Sequence, residues 1–285
     1  MTSKIICGDC LDVLKSMPDD SVDLVFTSPP YPSQRSYGIG FNKTTDEWVD
    51  FAFSYYIQCL RVSRGLVGWV VEDKTANFRY AMAPFLLMAN LHRAGVTLRK
   101  PPIYYRVGIS GSGGPDWLRN DYELIICATG GGKLPWSDNT ACGHPPKFPP
   151  GGNHSHHSKD GRVNRPRKQR EGDTRRVRTY KPPEKANPGN VIKCHGGGGH
   201  QGHPLAHENE APFPLGLAEF FVKSFCPPCG TVLDPFGGSG TVLHAAAING
   251  RNGIAIDIRE SQCDLMRRRM ADVEQQLSKQ TLKTE

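Results

Sequence analysis

Two short motifs, one near each end of the chain, carry residue types that could do chemistry together. The first is Ser-Pro-Pro-Tyr at residues 28–31, which follows Thr27 and the apolar run 22–26. A hydroxyl group and carbonyl groups held by consecutive prolines are rigid hydrogen-bond acceptors. The second is Asp-Pro-Phe-Gly-Gly-Ser-Gly-Thr at residues 234–241, directly after the apolar residues 231–233. A glycine-rich turn from a strand into a helix lets the backbone approach a ligand closely and directs free amides at it.

The second motif lacks one feature of phosphate-binding loops, and this absence limits the ligands that it could bind. Similar loops bind phosphates and dinucleotides, but residues 234–241 have no Lys-Ser or Lys-Thr ending, which excludes a P-loop. Asp257 ends the next predicted strand, at a spacing that suits hydrogen bonds to ribose hydroxyls. The alternative is that Asp257 only caps the helix predicted from Glu260 onward. Asp9 could likewise cap a helix predicted over residues 10–17.

Together, and in this order, the two motifs resemble the permuted β group of the amino-methyltransferases that modify exocyclic amines of DNA bases. The resemblance covers the chain outside residues 130–210. It implies that S-adenosyl-L-methionine is the cofactor, that the glycine-rich loop holds its methionine and ribose parts, and that Asp9 contacts the adenine amine. The cofactor-binding residues that it predicts are Asp9, Ser28, Asp234, Pro235, Phe236, Gly237, Gly238, Ser239, Gly240, Thr241 and Asp257.

The resemblance also gives each residue of the first motif a catalytic role. An exocyclic amine is a poor nucleophile because its lone pair is delocalised into the ring. The Ser28 hydroxyl and the Pro29 carbonyl would accept both N–H bonds and align the lone pair with the methyl group. Pro30 would rigidify the carbonyl, and Tyr31 would stack on a base flipped out of the duplex. Transfer would be direct, without a covalent enzyme intermediate.

Position 28 bears on the target base. In the resembled family, Ser at this position goes mostly with N4 of cytosine, whereas Asp or Asn goes mostly with N6 of adenine. N4-methylcytosine is therefore favoured, and N6-methyladenine remains the alternative. Methylation at C5 would require a nucleophilic cysteine in a Pro-Cys loop, and the dipeptide at 228–229 lies on the wrong side of the chain. A nucleic-acid-binding protein without catalysis, dependent on zinc, is a more remote alternative.

Strands that alternate with helices must position both motifs. The pattern predicts an α/β fold with a doubly wound, mostly parallel, Rossmann-like sheet and a loop-rich insert. The resemblance implies that the sheet is circularly permuted, with a catalytic half at 1–129, a target-recognition insert at 130–210 and a cofactor half at 211–285. Strands are predicted over residues 4–7, 22–26, 65–71, 122–128, 231–233 and 254–256; helices over 10–17, 48–62, 82–94, 214–225, 241–248 and 260–277.

Two further segments resemble the family more loosely. Residues 104–120, which include Arg106 and Trp117, resemble the loop before the last strand and could line the base pocket. Residues 207–214 resemble a motif that leads into the helix beside the cofactor, but this copy is loose. The loose match weakens His207 as a site residue and leaves the helix prediction intact.

Residues 130–210 break the alternating pattern, because Gly, Pro, His and Asn dominate them. Ten Lys or Arg residues against three acids lie between residues 159 and 181, in a chain whose net charge is +7. Such a local positive field favours a polyanion, and in the resembled family the insert recognises DNA. The alternative is a solvated basic loop without a partner. The residues predicted to bind double-stranded DNA are Arg165, Arg167, Lys168, Arg170, Arg175, Arg176 and Arg178.

The remaining composition narrows the setting. The His and Cys residues of the insert form no clean pair of ligand clusters, so no metal is predicted. No run approaches the ~20 apolar residues of a membrane span, and the N-terminus has no signal-peptide core. Nine scattered cysteines favour reduced thiols. We therefore expect a cytoplasmic protein of a bacterium, archaeon or phage, with a cognate restriction endonuclease as a candidate partner and the oligomeric state left open.

Overall fold

The computed structural model describes residues 2–31, 40–108, 113–146, 156–157, 163–164, 183–196 and 199–281. Its centre is a nine-stranded sheet with helices on both faces. The strands are β1 (Ser3–Cys7), β2 (Val22–Thr27), β3 (Ser63–Val71), β4 (Thr97–Leu98), β5 (Ile103–Val107), β6 (Tyr122–Thr129), β7 (Val191–His195), β8 (Thr231–Asp234) and β9 (Asn252–Asp257). The helices are α1 (Cys10–Ser16), α2 (Thr45–Val62), α3 (Ala83–Arg93), α4 (Leu215–Phe225), α5 (Thr241–Ile248) and α6 (Glu260–Thr281).

The sheet interleaves strands from the two ends of the chain. Its order is β1-β9-β8-β2-β3-β6-β5-β7, with β4 paired to β6. All pairs are parallel except those that β6 makes with β3, β4 and β5. The predicted mostly parallel α/β fold is therefore confirmed. The first and last strands lie side by side from Ser3 opposite Gly253 to Cys7 opposite Asp257; that this order arose by circular permutation stays a prediction.

Alternate residues along the central strands supply two separate cores, as the two-residue period of a strand requires. On one face, Val25 and Trp69 pack with side chains of α1, α2 and α3. On the other face, Leu24 and Phe26 pack with side chains of α4 and α5. Burial on both faces explains why the central strands are continuous apolar runs. The sheet is thereby held rigid at the point where β2 and β8 end.

Besides the two-residue strand β4, two strands, β5 and β7, were not predicted from the sequence. Residues 104–107 were assigned to a loop and residues 191–195 to a segment without pattern, and both assignments were wrong. The two strands pair in parallel at the edge of the sheet. In β7 only Ile192 is buried, because an edge strand needs few apolar anchors. Part of the predicted insert therefore belongs to the main sheet.

Helix boundaries differ from the prediction by a few residues. Helix α2 begins at Thr45, one residue after a capping box in which the Thr44 and Glu47 side chains bond each other's backbone amides. Pro84 stands at the start of α3, where its missing N–H costs nothing. Within the described ranges, no helix is long and apolar enough to cross a membrane.

Candidate active site

The two motifs meet at the carboxyl ends of neighbouring parallel strands, β2 and β8. Their registered pairs end with Val25 opposite Leu233. The Thr27 hydroxyl donates a 2.5 Å hydrogen bond to Asp234 Oδ1, which also accepts one from the Phe236 amide at 3.1 Å. Burial raises the pKa of Asp234 to about 7, against the lowering effect of these bonds. One buried carboxyl group therefore joins the two motifs.

A cavity of about 340 Å³ opens at this edge of the sheet, and both ends of the chain line it. The structure brings together nearly all predicted cofactor-binding residues there. Gly240 is the exception, because it precedes α5 in the left-handed region at φ 76° and lines no part of the cavity. The predicted residues that line the cavity are Asp9, Ser28, Asp234, Pro235, Phe236, Gly237, Gly238, Ser239, Thr241 and Asp257.

Asp9 and Asp257 each have a structural task as well as a place in the cavity. Asp9 caps α1 by accepting the Leu11 amide at 2.7 Å, as the alternative interpretation predicted. Asp257 accepts the Gly238 amide at 3.0 Å and the Arg259 amide at 2.9 Å. A carboxylate oxygen has two lone pairs, so neither task prevents these groups from accepting a ligand hydroxyl or amine.

The glycines of the loop are required by the turn and by the packing of α6. A Cβ on Gly237 would lie 2.7 Å from the sulfur of Met266. Gly238 has φ 50°, a left-handed conformation that strains other residues. The predicted need for glycine is thus explained within the protein, and the bond from Gly238 to Asp257 holds the loop in place.

Two aromatic residues of α2 that line the cavity, Phe51 and Tyr55, were not predicted from the sequence. Phe51 and Tyr55 lie one helical turn apart and contact each other at 4.2 Å between ring centroids. Phe236 of the loop packs at 5.9 Å from Tyr55. The signal available was the i, i+4 spacing of two aromatic residues on the cavity side of an amphipathic helix. The cavity thus combines flat apolar surfaces with carboxylates.

A second missed group comes from the segment before α4. Asn209, Ala211, Pro212 and Phe213 line the cavity, and all lie in the segment that resembles a family motif. His207, which the loose match weakened as a candidate, is absent from the lining. The other lining residues that were not predicted are Cys10, Phe41, Lys43, Ile258 and Arg259.

Ser28, Pro29 and Pro30 line the same cavity, but Tyr31 does not. The Pro30 carbonyl accepts a 2.7 Å hydrogen bond from the indole N–H of buried Trp48, which anchors the motif to α2. Tyr31 is only 8 % exposed. Burial, followed by the charge of Glu123, raises the pKa of Tyr31 well above its ordinary value, so its hydroxyl stays protonated. Stacking of Tyr31 on a base stays a prediction.

A buried arginine supports the loop from α6. Arg269, with no exposed surface, donates to the Ser239 carbonyl at 2.9 Å, to the Gln201 carbonyl at 3.0 Å and to His244 Nδ1 at 3.1 Å. Burial lowers the pKa of Arg269 to about 10 and that of His244 to about 4. At neutral pH a charged guanidinium and a neutral imidazole acceptor therefore fix the loop. Gln201 lies in the predicted insert, so this contact ties the end of the insert to the loop.

The predicted DNA-binding residues Arg165, Arg167, Lys168, Arg170, Arg175, Arg176 and Arg178 lie outside the described residues. In the part of the chain that the structure covers, no group of three or more His, Cys, Asp or Glu side chains is placed to share a metal ion.

Fold and site together define a class: a mostly parallel α/β protein in which a glycine-rich loop and residues 28–30 line one cavity. The family model N6_N4_Mtase, described as DNA methylase, matches residues 22–268. The orphan methyltransferase M.BamHII of Bacillus amyloliquefaciens is 31% identical over 274 residues, which cover 90% of this chain and 91% of that protein. The chain belongs to this DNA methylase family, which confirms the resemblance to DNA amino-methyltransferases; its place in the permuted β group stays a prediction.

Solved structures show the same fold. The PvuII DNA methyltransferase, a cytosine-N4-specific enzyme, superposes with a TM-score of 0.66 at 18% identity over 93% of this chain and 85% of that one. A putative DNA modification methylase from Thermus thermophilus, solved in complex with S-adenosyl-L-methionine, gives 0.60 at 22% identity over 95% and 94%. Identities this low carry the fold alone, and that fold is the predicted Rossmann-like one.

Proposed function

We propose that the protein transfers a methyl group from S-adenosyl-L-methionine to the exocyclic N4 amine of cytosine in double-stranded DNA. The observation that supports this most is the shared cavity: Ser28 and Pro29 line it together with the glycine-rich loop. The bond between Thr27 and Asp234 fixes the distance between the two motifs. Binding both reactants on one rigid sheet edge supplies proximity and orientation, the main need of a direct transfer.

The lining suits S-adenosyl-L-methionine. Phe51, Tyr55 and Phe236 offer apolar faces to an adenine ring, Asp9 can accept its amine, and Asp257 can accept ribose hydroxyls. When bound, the cofactor supplies an electrophilic methyl group on a sulfonium. Two findings support this choice. The chain belongs to the DNA methylase family, and the Thermus thermophilus neighbour was solved in complex with S-adenosyl-L-methionine.

The residues of this chain then orient the amine. The Ser28 hydroxyl and the Pro29 carbonyl accept its two N–H bonds, so that its lone pair is directed at the methyl group. The bond from Trp48 to the Pro30 carbonyl keeps the motif from shifting when the base enters. The base must leave the duplex to reach this cavity, and we propose the basic insert as the surface that holds the DNA.

Cytosine is chosen over adenine because position 28 is Ser. N6-adenine methylation remains the alternative, because the name of the matching family covers both N6 and N4 enzymes. The same two acceptors would serve either amine, so the choice depends on the shape of the base pocket. A cognate restriction endonuclease stays a candidate partner.

The test is incubation of the protein with duplex DNA of mixed sequence and the methyl-labelled cofactor. We expect label in the DNA, and no label with Ser28→Ala although the variant still binds the cofactor. Unlabelled DNA with the wild-type protein, despite cofactor binding, would contradict the proposal.

A further inference from the structure

A chain of polar groups runs from the cavity into the interior. The Ser28 hydroxyl donates to the Tyr31 hydroxyl at 3.0 Å, and the Tyr31 hydroxyl donates to Glu123 Oε2 at 2.7 Å. Tyr31 and Glu123 are 8 % and 9 % exposed. Glu123 lies near the start of β6 and has no role in the function proposed above. An acid just before the apolar residues 124–128 is the sequence signal that could have identified it.

The direction of these hydrogen bonds follows from the carboxylate. An ionised carboxylate accepts hydrogen bonds and cannot donate them. Tyr31 therefore gives its hydrogen to Glu123, and its oxygen accepts the hydrogen of Ser28. With that hydrogen engaged, the Ser28 oxygen offers lone pairs to the cavity. A target amine, which presents N–H donors, requires an acceptor of this kind.

Arg106 places a positive charge beside Glu123, whose ionised form this direction requires. Its guanidinium lies 3.6 Å from Glu123 Oε1 and 3.0 Å from Glu72 Oε1, with all three side chains largely buried. An opposite charge at such a distance favours the carboxylate form. Asn120 holds Glu72 at 2.9 Å and so completes the support.

We propose that Glu123 is a positioning residue for methyl transfer, acting through Tyr31 to hold Ser28 as a hydrogen acceptor and to receive the proton that the amine loses. This inference rests on the proposed function. The amine lone pair forms the N–C bond, and the C–S bonding pair leaves with sulfur. The nitrogen then gives a proton to Ser28 Oγ as the Ser28 proton moves to the Tyr31 oxygen and the Tyr31 proton to Glu123 Oε2.

After the transfer, Glu123 carries the proton and is neutral, and the methylated amine is neutral as well. Glu123 also lines a separate open cavity of about 270 Å³ together with Glu72 and Asn120. Water in that cavity can take the proton and restore the carboxylate for the next turnover. The path thus connects the reaction to solvent without opening the methyl-transfer cavity.

Tyr31→Phe is the decisive variant, because it keeps the ring and any stacking but removes the hydroxyl link. We expect its single-turnover transfer rate to fall by about 100-fold or more, the usual effect of losing one preorganised hydrogen bond, with cofactor affinity unchanged. Glu123→Gln should lose as much, since an amide can donate to Tyr31 and reverse the chain. Asp121→Asn is the matched control: this acid pairs with Arg119 at 2.6 Å and should keep the wild-type rate.

A wild-type transfer rate in Tyr31→Phe, or in a folded Glu123→Gln, would overturn the inference while leaving the methyltransferase function standing. Failure of the wild-type protein to label any DNA would instead refute the function. Thermal unfolding shows whether each variant folds. If Glu123→Gln does not fold, Tyr31→Phe, which loses one oxygen atom, decides the matter by its rate and cofactor affinity.

Discussion

Single residues in this protein have two tasks, one structural and one at the cavity. Asp9 caps a helix and lines the cavity; Asp257 holds the loop and lines it too. Asp234 is the clearest case, because its buried carboxyl joins the end of β2 at Thr27 to the glycine-rich loop at Phe236. Such double use means that a substitution at these positions should change cofactor affinity and stability together.

Thr27→Val tests the hydrogen bond between Thr27 and Asp234 by removing its donor. The substitution keeps the shape of the side chain but leaves a buried oxygen of Asp234 with one bond fewer. We expect a loss of about 1–3 kcal/mol in the free energy of unfolding, together with weaker cofactor binding. Thr27→Ser keeps the hydroxyl and is the control. Denaturant unfolding and cofactor titration measure both, and equal values for the Val and Ser variants would contradict the assignment.

Asp234→Asn tests the raised pKa. The pKa of Asp234 is raised from 3.8 to about 7 in the folded protein. The native state therefore holds a proton that the unfolded chain releases, and this contribution to stability is lost as the pH rises between these values. Without cofactor, the wild-type melting temperature should fall relative to that of Asp234→Asn from about pH 4 to pH 7 and stay parallel above. Parallel curves over the whole range would show that the pKa is ordinary.

At the scale of elements, α6 determines the shape of the glycine-rich loop. Met266 presses on Gly237, and Arg269 bonds the carbonyl groups of Ser239 and Gln201. The bond to Gln201 reaches the end of the insert. Through Arg269, helix α6 therefore connects the glycine-rich loop to the end of the insert that is proposed to hold DNA.

Arg269→Met should destabilise the protein by about 1–3 kcal/mol for each buried acceptor that it leaves without a donor, and should weaken cofactor binding. Arg268→Met is the matched control one position earlier. Arg268 is half exposed and pairs with Glu208 at the surface, so its loss should leave unfolding and binding unchanged. Similar effects of the two substitutions would mean that the buried hydrogen bonds of Arg269 contribute no more to stability and cofactor binding than the surface ion pair of Arg268.

The elements differ in how far the sequence could predict them. Central strands and helices were predictable because burial on both faces leaves continuous apolar runs and a helical face leaves a 3.6-residue period. The edge strands β5 and β7 were not, since Lys193 and Arg106 interrupt their apolar pattern. At the site, motif residues were predictable from their types. Glu123 left only one signal, an acid directly before an apolar run, and Arg269 left none, because a buried charge is otherwise recognisable only by the partners that the fold brings to it.

At the scale of the whole molecule, charge separates the chain into two parts. Ten Lys or Arg residues against three acids between 159 and 181 give +7, the whole net charge of the chain. All ten lie outside the described residues, so their binding to DNA stays a prediction. Their effect on affinity can nevertheless be measured without knowing their structure.

Replacing Arg175, Arg176 and Arg178 with Gln should reduce the slope of log affinity against log salt by roughly 0.9 for each DNA phosphate that the variant no longer neutralises. DNA affinity should fall equally for all sequences if these side chains bind phosphates. Neutralising Arg267 and Arg268, exposed on α6, is the control and should leave the slope unchanged. An unchanged slope in the triple variant would show that the basic run is only a solvated loop.

The measurement that tests the central claim most directly is nucleoside mass spectrometry of duplex DNA after reaction with isotope-labelled S-adenosyl-L-methionine. The shared cavity predicts a labelled exocyclic amine, and Ser at position 28 predicts that the product is N4-methylcytosine, lost in Ser28→Ala. Labelled N6-methyladenine would keep the amine-transfer site but contradict the choice of base. Absence of any labelled base, with the cofactor bound, would contradict the account of the cavity as a methyl-transfer site.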